Sequence, residues 1–306
     1  MGFMASSFLW LVAVSKSEMQ CGGSQLASFL LASTSQHALS THSLESTHDA
    51  DGWKSINVFY GNSSHIADSS TIPSEYFAVN RWFSQYRQDE VVSHLLFGKR
   101  NGYFVDLASN DAVRISNTYA LETFFDWDGL CLEPNPAYWS SLSYRKCVVA
   151  AAVVGENNMD EVTFTFPKEK AAKGGIVGEK FDNKVAATDQ AHVRYTVRLV
   201  EIFRHFNVPK VIDYLSLDVE GAEDFVMGTF PFSEYQFNVL TVERPSPILA
   251  ETLGSHGYIL LKTLKKGKET LWVHKSVETM LDKSALEIDA QNYKYREGAA
   301  LARKVV

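Results

Sequence analysis

The sequence has little of what marks several common protein classes. Its 306 residues contain only three cysteines, Cys21, Cys131 and Cys147, and their spacing fits neither a disulfide framework nor a zinc site. The formal net charge of −7 gives no basic excess for a nucleic-acid partner. After residue 81 no apolar run is long enough to span a membrane. What remains is one substantial core with appendages, or two small domains, with Cys131 and Cys147 predicted as buried thiols within strands.

A glycine-rich dinucleotide motif is also missing, although the segment where it would stand is well patterned. An apolar run at residues 103–107 predicts a buried strand, and the small-residue loop 108–112 follows it. A helix capped by Ser116 comes next, and a second strand at residues 130–132 then ends on Glu133. This order is typical of a βαβ unit that binds a nucleoside, with the carboxylate accepting hydrogen bonds from the ribose.

Ala108 and Ala112 stand where a pyrophosphate-binding loop would have glycines. A pyrophosphate needs close approach to the backbone, so this loop favours an unphosphorylated nucleoside. The alternative interpretation is an ordinary α/β crossover with a solvated acid at the end of a strand.

Carboxylates gather after another predicted buried strand, at residues 211–217. Asp218, Glu220 and Glu223 follow this strand within six residues, and a later strand ends on Glu243. In a doubly wound sheet these strand ends point toward one crevice. Packed carboxylates share protons, bind a cation or meet a positively charged ligand. As an alternative, Glu223 only favours the dipole at the start of a helix.

The first eighty residues differ from the rest of the chain. Apolar patches at residues 8–14 and 26–32 have no basic residue ahead of the first patch, and residues 33–51 form a Ser-, Thr- and His-rich linker. This weak targeting signal leaves the compartment open, with the cytoplasm slightly favoured over export through an N-terminal targeting segment. Residues 277–306 form a charged tail.

The pattern between these ends predicts an α/β fold with seven strands. Ser84 is expected to cap a helix whose first turns carry two glutamines, which face either a ligand or solvent. Glycines among charges at residues 168–190 indicate a mobile loop over a site. A terminal antiparallel hairpin, predicted at residues 258–264 and 270–274, closes the otherwise mostly parallel sheet.

Four consecutive motifs, FVDLASNDA, SNTYALE, GLCLEPNP and YLSLDVEGAE, resemble the FkbM family of methyltransferases. The resemblance covers about residues 81–276 and implies a class I, Rossmann-like methyltransferase domain that uses S-adenosyl-L-methionine. Family members commonly methylate hydroxyl groups of sugars or natural products. A small-molecule or glycan hydroxyl is therefore the expected acceptor.

The resemblance also implies site residues. Those expected to bind the cofactor are Ser84, Gln88, Asp106, Ala108, Asn110, Asn117, Glu133 and Asp218, with Glu133 on the ribose and Asp218 beside the transferred methyl group. An alcohol acceptor needs a base, for which Asp218 or Glu220 is the first candidate and Glu243 the next. No metal is expected, although Asp218 with Glu243 is an alternative cation site.

Two departures from the family pattern bear on activity. Methyl groups at Ala108 and Ala112 would crowd a cofactor, and Ser216 stands where many bacterial relatives have lysine. A binding or trafficking protein with an inactive methyltransferase fold is therefore one rival hypothesis. A nicotinamide-dependent oxidoreductase is another, but its glycine-rich loop is missing.

Overall fold

The computed structural model describes residues 9–13, 55–59, 82–166, 174–181, 183 and 191–292, which form a mixed α/β fold. The strands are β1 (Leu9–Ala13), β2 (Ser55–Phe59), β3 (Tyr103–Leu107), β4 (Asp128–Leu132), β5 (Val148–Ala151), β6 (Val153–Val154), β7 (Glu161–Thr165), β8 (Gly175–Ile176), β9 (Ala191–Val197), β10 (Val211–Leu217), β11 (Gln236–Glu243), β12 (Tyr258–Lys265) and β13 (Glu269–His274). The helices are α1 (Gln88–Leu95), α2 (Tyr119–Phe125), α3 (Pro136–Leu142), α4 (Leu199–His205), α5 (Glu223–Met227) and α6 (Pro247–Ser255), followed by 3-10 turns at Glu278–Met280 and Lys283–Glu287. Within these ranges no helix combines the length and apolar character that a membrane crossing needs.

Within the described residues the main sheet has nine strands, in the order β12-β13-β11-β10-β3-β4-β5-β1-β2. Neighbours from β11 to β5 are parallel, whereas β13 is antiparallel to both β11 and β12. The part from β12 to β5 confirms the predicted seven-stranded, mostly parallel sheet with a terminal antiparallel hairpin, a layout consistent with a methyltransferase-like fold. β1 lies within the apolar patch at residues 8–14, whose role in targeting stays a prediction.

The order of the strands reverses between β3 and β10. From β3 the chain continues outward through β4 and β5, then returns to the other side of β3 to form β10 and β11. Such a switch opens a crevice at the carboxyl ends of the strands, which is where α/β sheets bind ligands.

Alternation along the strands sends side chains into two separate cores. Tyr214 of β10 belongs to the core that contains Val91 of α1 and Leu121 of α2. Its neighbour Leu215 belongs to the core on the opposite face, together with Phe203 of α4. All five side chains are fully buried, and burying one large apolar side chain is worth about 1.5–3 kcal/mol. Helices on both faces therefore fix the sheet and the crevice at its edge.

A smaller sheet in the order β6-β9-β7-β8 flanks the main one. Apolar and polar residues alternate at 161–166, which predicts an antiparallel strand. The structure confirms this prediction, since β7 pairs antiparallel with β8 and β9. The β-branched and alanine-rich run at residues 147–154 predicts one strand. The structure divides this run, because β5 belongs to the main sheet and β6 to the small one. Most of the predicted loop at residues 168–190 lies outside the described residues, and its described part contains β8.

Cys131 and Cys147 form a disulfide, with their Cα atoms 6.1 Å apart. Both residues are fully buried, as predicted, but the prediction of free thiols was wrong. The register of β4 and β5, in which Leu130 pairs with Val148, brings Cys131 of β4 close to Cys147, which immediately precedes β5.

Three predicted boundaries were also wrong. α2 begins at Tyr119 after Thr118, and the predicted cap Ser116 lies before Thr118 and accepts the N–H of Tyr119. α1 begins at Gln88 and not after Ser84, whose hydroxyl instead lies 2.5 Å from a carboxylate oxygen of Asp89. β4 begins at Asp128 and not at Leu130, because Asp128 and Gly129 also pair with β3.

Candidate active site

The candidate site lies at the carboxyl ends of β3, β4, β10 and β11. The residues that immediately follow the first three of these strands are Ala108, Glu133 and Asp218, and Glu243 is the last residue of β11. Because the four strands are parallel neighbours, these residues lie along one edge of the sheet.

The loop after β3 is held in an uncommon backbone conformation. Ala108 and Asn110 both have φ of 58°, in the left-handed region that favours glycine. The N–H of Ser109, between them, donates to the carbonyl of Leu132 at 3.1 Å, which ties the loop to the end of β4. Ala112 is buried in the core beneath the loop, so its methyl group faces the core and the predicted crowding falls on Ala108 alone.

Glu133 is oriented by two backbone hydrogen bonds. One carboxylate oxygen accepts the N–H of Asn110 at 2.8 Å and the other accepts the N–H of Asn135 at 2.7 Å. Burial raises the pKa of Glu133 to about 7, although these two hydrogen bonds oppose the shift. Glu133 therefore changes its charge near neutral pH.

Two cavities adjoin at this loop. The larger has an empty volume of about 610 Å³, and Glu133 lies in its wall. Its lining is otherwise mostly apolar, from Leu107, Leu132, Pro134, Val153, Phe164 and Ile176 among others. The smaller cavity has an empty volume of about 350 Å³ and is mostly polar, lined by Gln85, Gln88, Asp106, Ala108, Ser109, Asn110, Ile115, Asn117 and Asp218. Ala108 and Asn110 line both cavities, so the two can hold the ends of one elongated ligand.

Two amide oxygens in the polar cavity have no partner among the described residues. They are the Oδ1 atoms of Asn110 and Asn117, and both are buried. The amide nitrogen of Asn117 donates to the hydroxyl of Ser216 at 2.9 Å, which fixes the orientation of this side chain. A buried acceptor without a donor costs free energy, so these atoms are suited to a ligand that donates hydrogen bonds.

Carboxylates converge beside the polar cavity, and we call Asp218, Glu220, Glu243 and Glu269 the acid cluster. The first three each offer a carboxylate oxygen, and these oxygens all lie within 4.8 Å of one another. Arg244 donates to Glu243 at 2.5 Å and to Glu220 at 3.2 Å. Oxygen ligands at this spacing could hold a divalent cation. The sequence indicated only Asp218 and Glu243 as ligands of such a cation, and the structure adds Glu220 as the third.

Glu269 joins the acid cluster through the terminal hairpin. It pairs with Glu243 in the register of β13 and β11, and it is buried. Burial and then the charge of Glu243 raise the pKa of Glu269 well above its ordinary value. Burial, followed by the charges of Glu243, Glu269 and Glu220, likewise raises the pKa of Asp218. These two carboxyl groups therefore hold protons more tightly than solvated acids do.

Glu223 has a different position from the acid cluster. It is buried at the start of α5, and its carboxylate accepts the N–H of Val219 at 3.2 Å and of Gly221 at 3.4 Å. It thus closes the turn that carries Glu220, whose φ is 53°. Its contacts are those of a residue that shapes the turn.

The structure brings together most of the residues expected to bind a cofactor. Gln88, Asp106, Ala108, Asn110, Asn117 and Asp218 line the polar cavity, and Glu133 lines the apolar one. Ser84 lines neither of these cavities and bonds to Asp89 instead. Glu269 was missed, because only the hairpin register brings it to the site; Gln85 was foreseen only as one of two glutamines facing a ligand or solvent.

One comparison with known proteins identifies the family. No curated protein matches the chain. The model of the methyltransferase FkbM domain matches residues 106–269, which is more than half of the chain and extends from Asp106 in β3 to Glu269 in β13. This segment contains both ends of the crevice and the whole acid cluster. The chain therefore belongs to the FkbM methyltransferase family.

Proposed function

We propose that this chain is an S-adenosylmethionine-dependent methyltransferase that methylates a hydroxyl group of a sugar or small natural product. The observation that carries the proposal is the pair of adjoining cavities, one mostly apolar and one mostly polar, that share Ala108 and Asn110. S-adenosylmethionine has a matching shape, with a flat adenine at one end and a charged amino acid at the other. Membership of the FkbM family supports the reaction class.

The residues of both cavities fit this cofactor. Glu133 is held by two N–H groups and has lone pairs left for the ribose hydroxyls. In the polar cavity, the unpartnered oxygens of Asn110 and Asn117 are acceptors for an ammonium group. Asp106 and Asp218 add two carboxyl groups to this wall. Burial raises the pKa of both groups, and a bound cationic ligand would lower these pKa values and so favour their ionised forms.

When bound, the cofactor supplies an electrophilic methyl group on a sulfonium. The chain aligns the acceptor hydroxyl with this group and removes the hydroxyl proton as the new bond forms. Asp218 is the proposed base, because it lines the polar cavity. In the ionised form that a neighbouring cationic cofactor favours, its raised pKa makes it a stronger proton acceptor than a solvated carboxylate. Glu220 and Glu243 lie close enough to orient the other hydroxyls of a sugar.

A divalent cation on Asp218, Glu220 and Glu243 is the second route to the same reaction, since a bound cation lowers the pKa of an alcohol. Arg244 already donates to two of these three carboxylates, so a cation would have to displace it. Base catalysis without a metal is therefore the preferred route, and turnover should survive chelation by EDTA.

An inactive fold retained for binding or trafficking is the second candidate function, and Ala108 favours it. Ala108 has φ of 58° and lines both cavities, so its methyl group fills space that a glycine would leave free. Such a protein would bind neither S-adenosylmethionine nor its demethylated product.

Calorimetric titration of S-adenosylmethionine and its demethylated product separates the two candidates. We expect micromolar binding by the wild type and a loss of affinity of about tenfold or more in Glu133→Ala, because charge-assisted hydrogen bonds to the ribose disappear. Glu287→Gln changes an exposed carboxylate in the second 3-10 turn and serves as the control. Absence of binding by the wild type would reject the proposal.

A further inference from the structure

We propose that Arg145 is a positioning residue that holds the cofactor loop in its binding conformation. The cofactor loop is defined here as residues 108–118, which contribute most of the lining of the polar cavity. Arg145 itself lines neither of the two cavities, so it acts through the loop. The consequence for S-adenosylmethionine rests on the function proposed above, whereas the effect on the loop does not.

Arg145 is a fully buried cation that directs most of its donors to one short segment. Its guanidinium donates to the carbonyl oxygen of Ala112 at 3.2 Å, to the hydroxyl of Ser116 at 3.2 Å and to the hydroxyl of Thr118 at 3.1 Å. The planar guanidinium can satisfy these three acceptors at once, which a lysine ammonium on a flexible stem cannot do in the same geometry. The segment that precedes α2 is therefore fixed at three points.

The contacts of Arg145 continue to the wall of the polar cavity. Thr118 accepts from Arg145 and donates to a carboxylate oxygen of Asp106 at 2.6 Å. Asp106 lines the cavity, and so does Asn117, which lies between two residues bonded to Arg145. Ser116, for its part, accepts the N–H of Tyr119 at 3.1 Å and so fixes the start of α2. Displacing Arg145 would thus move both a charge and an amide of the cavity wall.

Glu122 neutralises Arg145 and ties it to the sheet. The ion pair has an N–O distance of 3.1 Å, and the same carboxylate accepts the N–H groups of Lys146 and Cys147 at 2.8 and 3.2 Å. Cys147 is joined in turn to Cys131 of β4 by the disulfide. Glu133 directly follows β4, so these contacts connect Arg145 to the strand that carries the proposed ribose-binding residue.

Two aromatic rings close to the guanidinium help this charge to be tolerated in a core. The guanidinium carbon lies 5.8 Å from the ring centroid of Phe104 and 5.6 Å from that of Tyr119. Rings at such distances attract a cation and limit its lateral movement. Hydrogen bonds, an ion pair and two ring contacts thus hold Arg145 in place, which suits a residue that positions its neighbours.

Two sets of variants test this assignment in the full-length protein. Arg145→Met removes the charge and the donors while keeping a long side chain, and Phe203→Leu is a control in the core on the opposite face. Thr118→Val removes only the hydroxyl between Arg145 and Asp106, and Thr118→Ser restores it. If Arg145→Met does not fold, the comparison of Thr118→Val with Thr118→Ser tests the proposal instead.

The readouts are hydrogen–deuterium exchange of residues 108–118 in the unliganded protein and the Kd for S-adenosylmethionine. Arg145→Met and Thr118→Val should exchange this segment faster and bind about tenfold more weakly, because small displacements in a site are costly. Phe203→Leu and Thr118→Ser should keep wild-type affinity and local exchange.

Wild-type exchange of the cofactor loop in both Arg145→Met and Thr118→Val would overturn the proposal, as would wild-type affinity in both. The proposal would also be overturned if Phe203→Leu showed the same faster exchange and the same loss of affinity, because Arg145 would then only contribute to general stability. If the wild type binds no S-adenosylmethionine, the proposed function fails and the exchange measurement alone decides the role of Arg145.

Discussion

Two clusters of charged side chains, the Arg145–Glu122 pair and the acid cluster, are built in opposite ways. In the first, Arg145 and Glu122 form an ion pair in which both side chains are almost fully buried and make further hydrogen bonds. In the second, the acid cluster, four carboxylates gather, and Arg244 donates to two of them. The first cluster is balanced in charge, whereas the second is not.

The difference shows what each cluster is for. A buried ion pair that satisfies all its partners organises the chain around it, although it adds little net stability compared with apolar residues. An excess of like charges raises the free energy of the folded state, and raised pKa values are common where such groups meet a ligand. We therefore propose a structural role for the Arg145–Glu122 pair and a catalytic role for the acid cluster.

The largest expected effect is a loss of turnover in Asp218→Asn, which tests the catalytic role proposed for the acid cluster. Asparagine keeps the size of the side chain but cannot accept a proton, so turnover should fall about 100-fold or more, the usual contribution of a general base. The acceptor for the assay is the one with the highest wild-type turnover in a panel of free monosaccharides, measured with labelled S-adenosylmethionine. Asp224→Asn, which changes an exposed aspartate of α5, is the matched control.

Turnover in Asp218→Asn that remains within threefold of the wild type, roughly 0.6 kcal/mol in the barrier, would remove Asp218 from the role of base. Glu220→Gln and Glu243→Gln would then be compared in the same assay. A loss in Asp218→Asn that added Mg²⁺ alone reverses would instead favour the cation route.

The second prediction concerns the disulfide beside the balanced pair. Replacing both cysteines, in Cys131→Ala/Cys147→Ala, should lower the free energy of unfolding by about 3 kcal/mol, the value typical of a loop of this size. Unfolding in urea measures the loss, with the reduced wild type as a second sample. Because the disulfide carries no charge, the pH dependence of stability should stay that of the wild type. An unchanged urea midpoint in both samples would show that the disulfide does not stabilise the fold.

Much of the fold and part of the site follow from local sequence patterns. β3 and β10 have the bounds that their apolar runs predict, and a carboxylate directly after such a run, as at Glu133 and Asp218, marks the edge of a parallel sheet. The small-residue loop that begins at Ala108 could be predicted for the same reason, because a run of neighbouring residues in the sequence is enough to indicate it.

The remaining features depend on register and on distant contacts, which a single sequence does not reveal. Glu269 reaches the acid cluster only because the hairpin pairs it with Glu243. The disulfide depends on the register of β4 and β5. Arg145 bonds to residues between 23 and 33 positions earlier in the chain, and nothing around it in the sequence announces a buried cation.

The smallest predicted effect is on the pH dependence of stability in Glu269→Gln. The pKa of Glu269 is raised in the folded state, so the folded protein holds this proton after the unfolded chain has released it. Stability is therefore fully present below the ordinary glutamate pKa and is lost as the pH rises toward the raised value. Glu133, whose pKa is about 7, contributes a loss of the same sign between about pH 4.5 and 7.

Glutamine at position 269 keeps the side-chain shape but cannot ionise beside Glu243, so Glu269→Gln should lose less stability with rising pH. We expect it to match the wild type near pH 5 and to exceed it by about 1 kcal/mol near pH 8, where one pKa unit corresponds to about 1.4 kcal/mol. Urea unfolding at both pH values measures the difference, and the exposed Glu287→Gln should follow the wild type at each. If Glu269→Gln were instead less stable at pH 8, the acid cluster would be compensated by cations as fully as the Glu122 and Arg145 pair, and the contrast between the two clusters would fail.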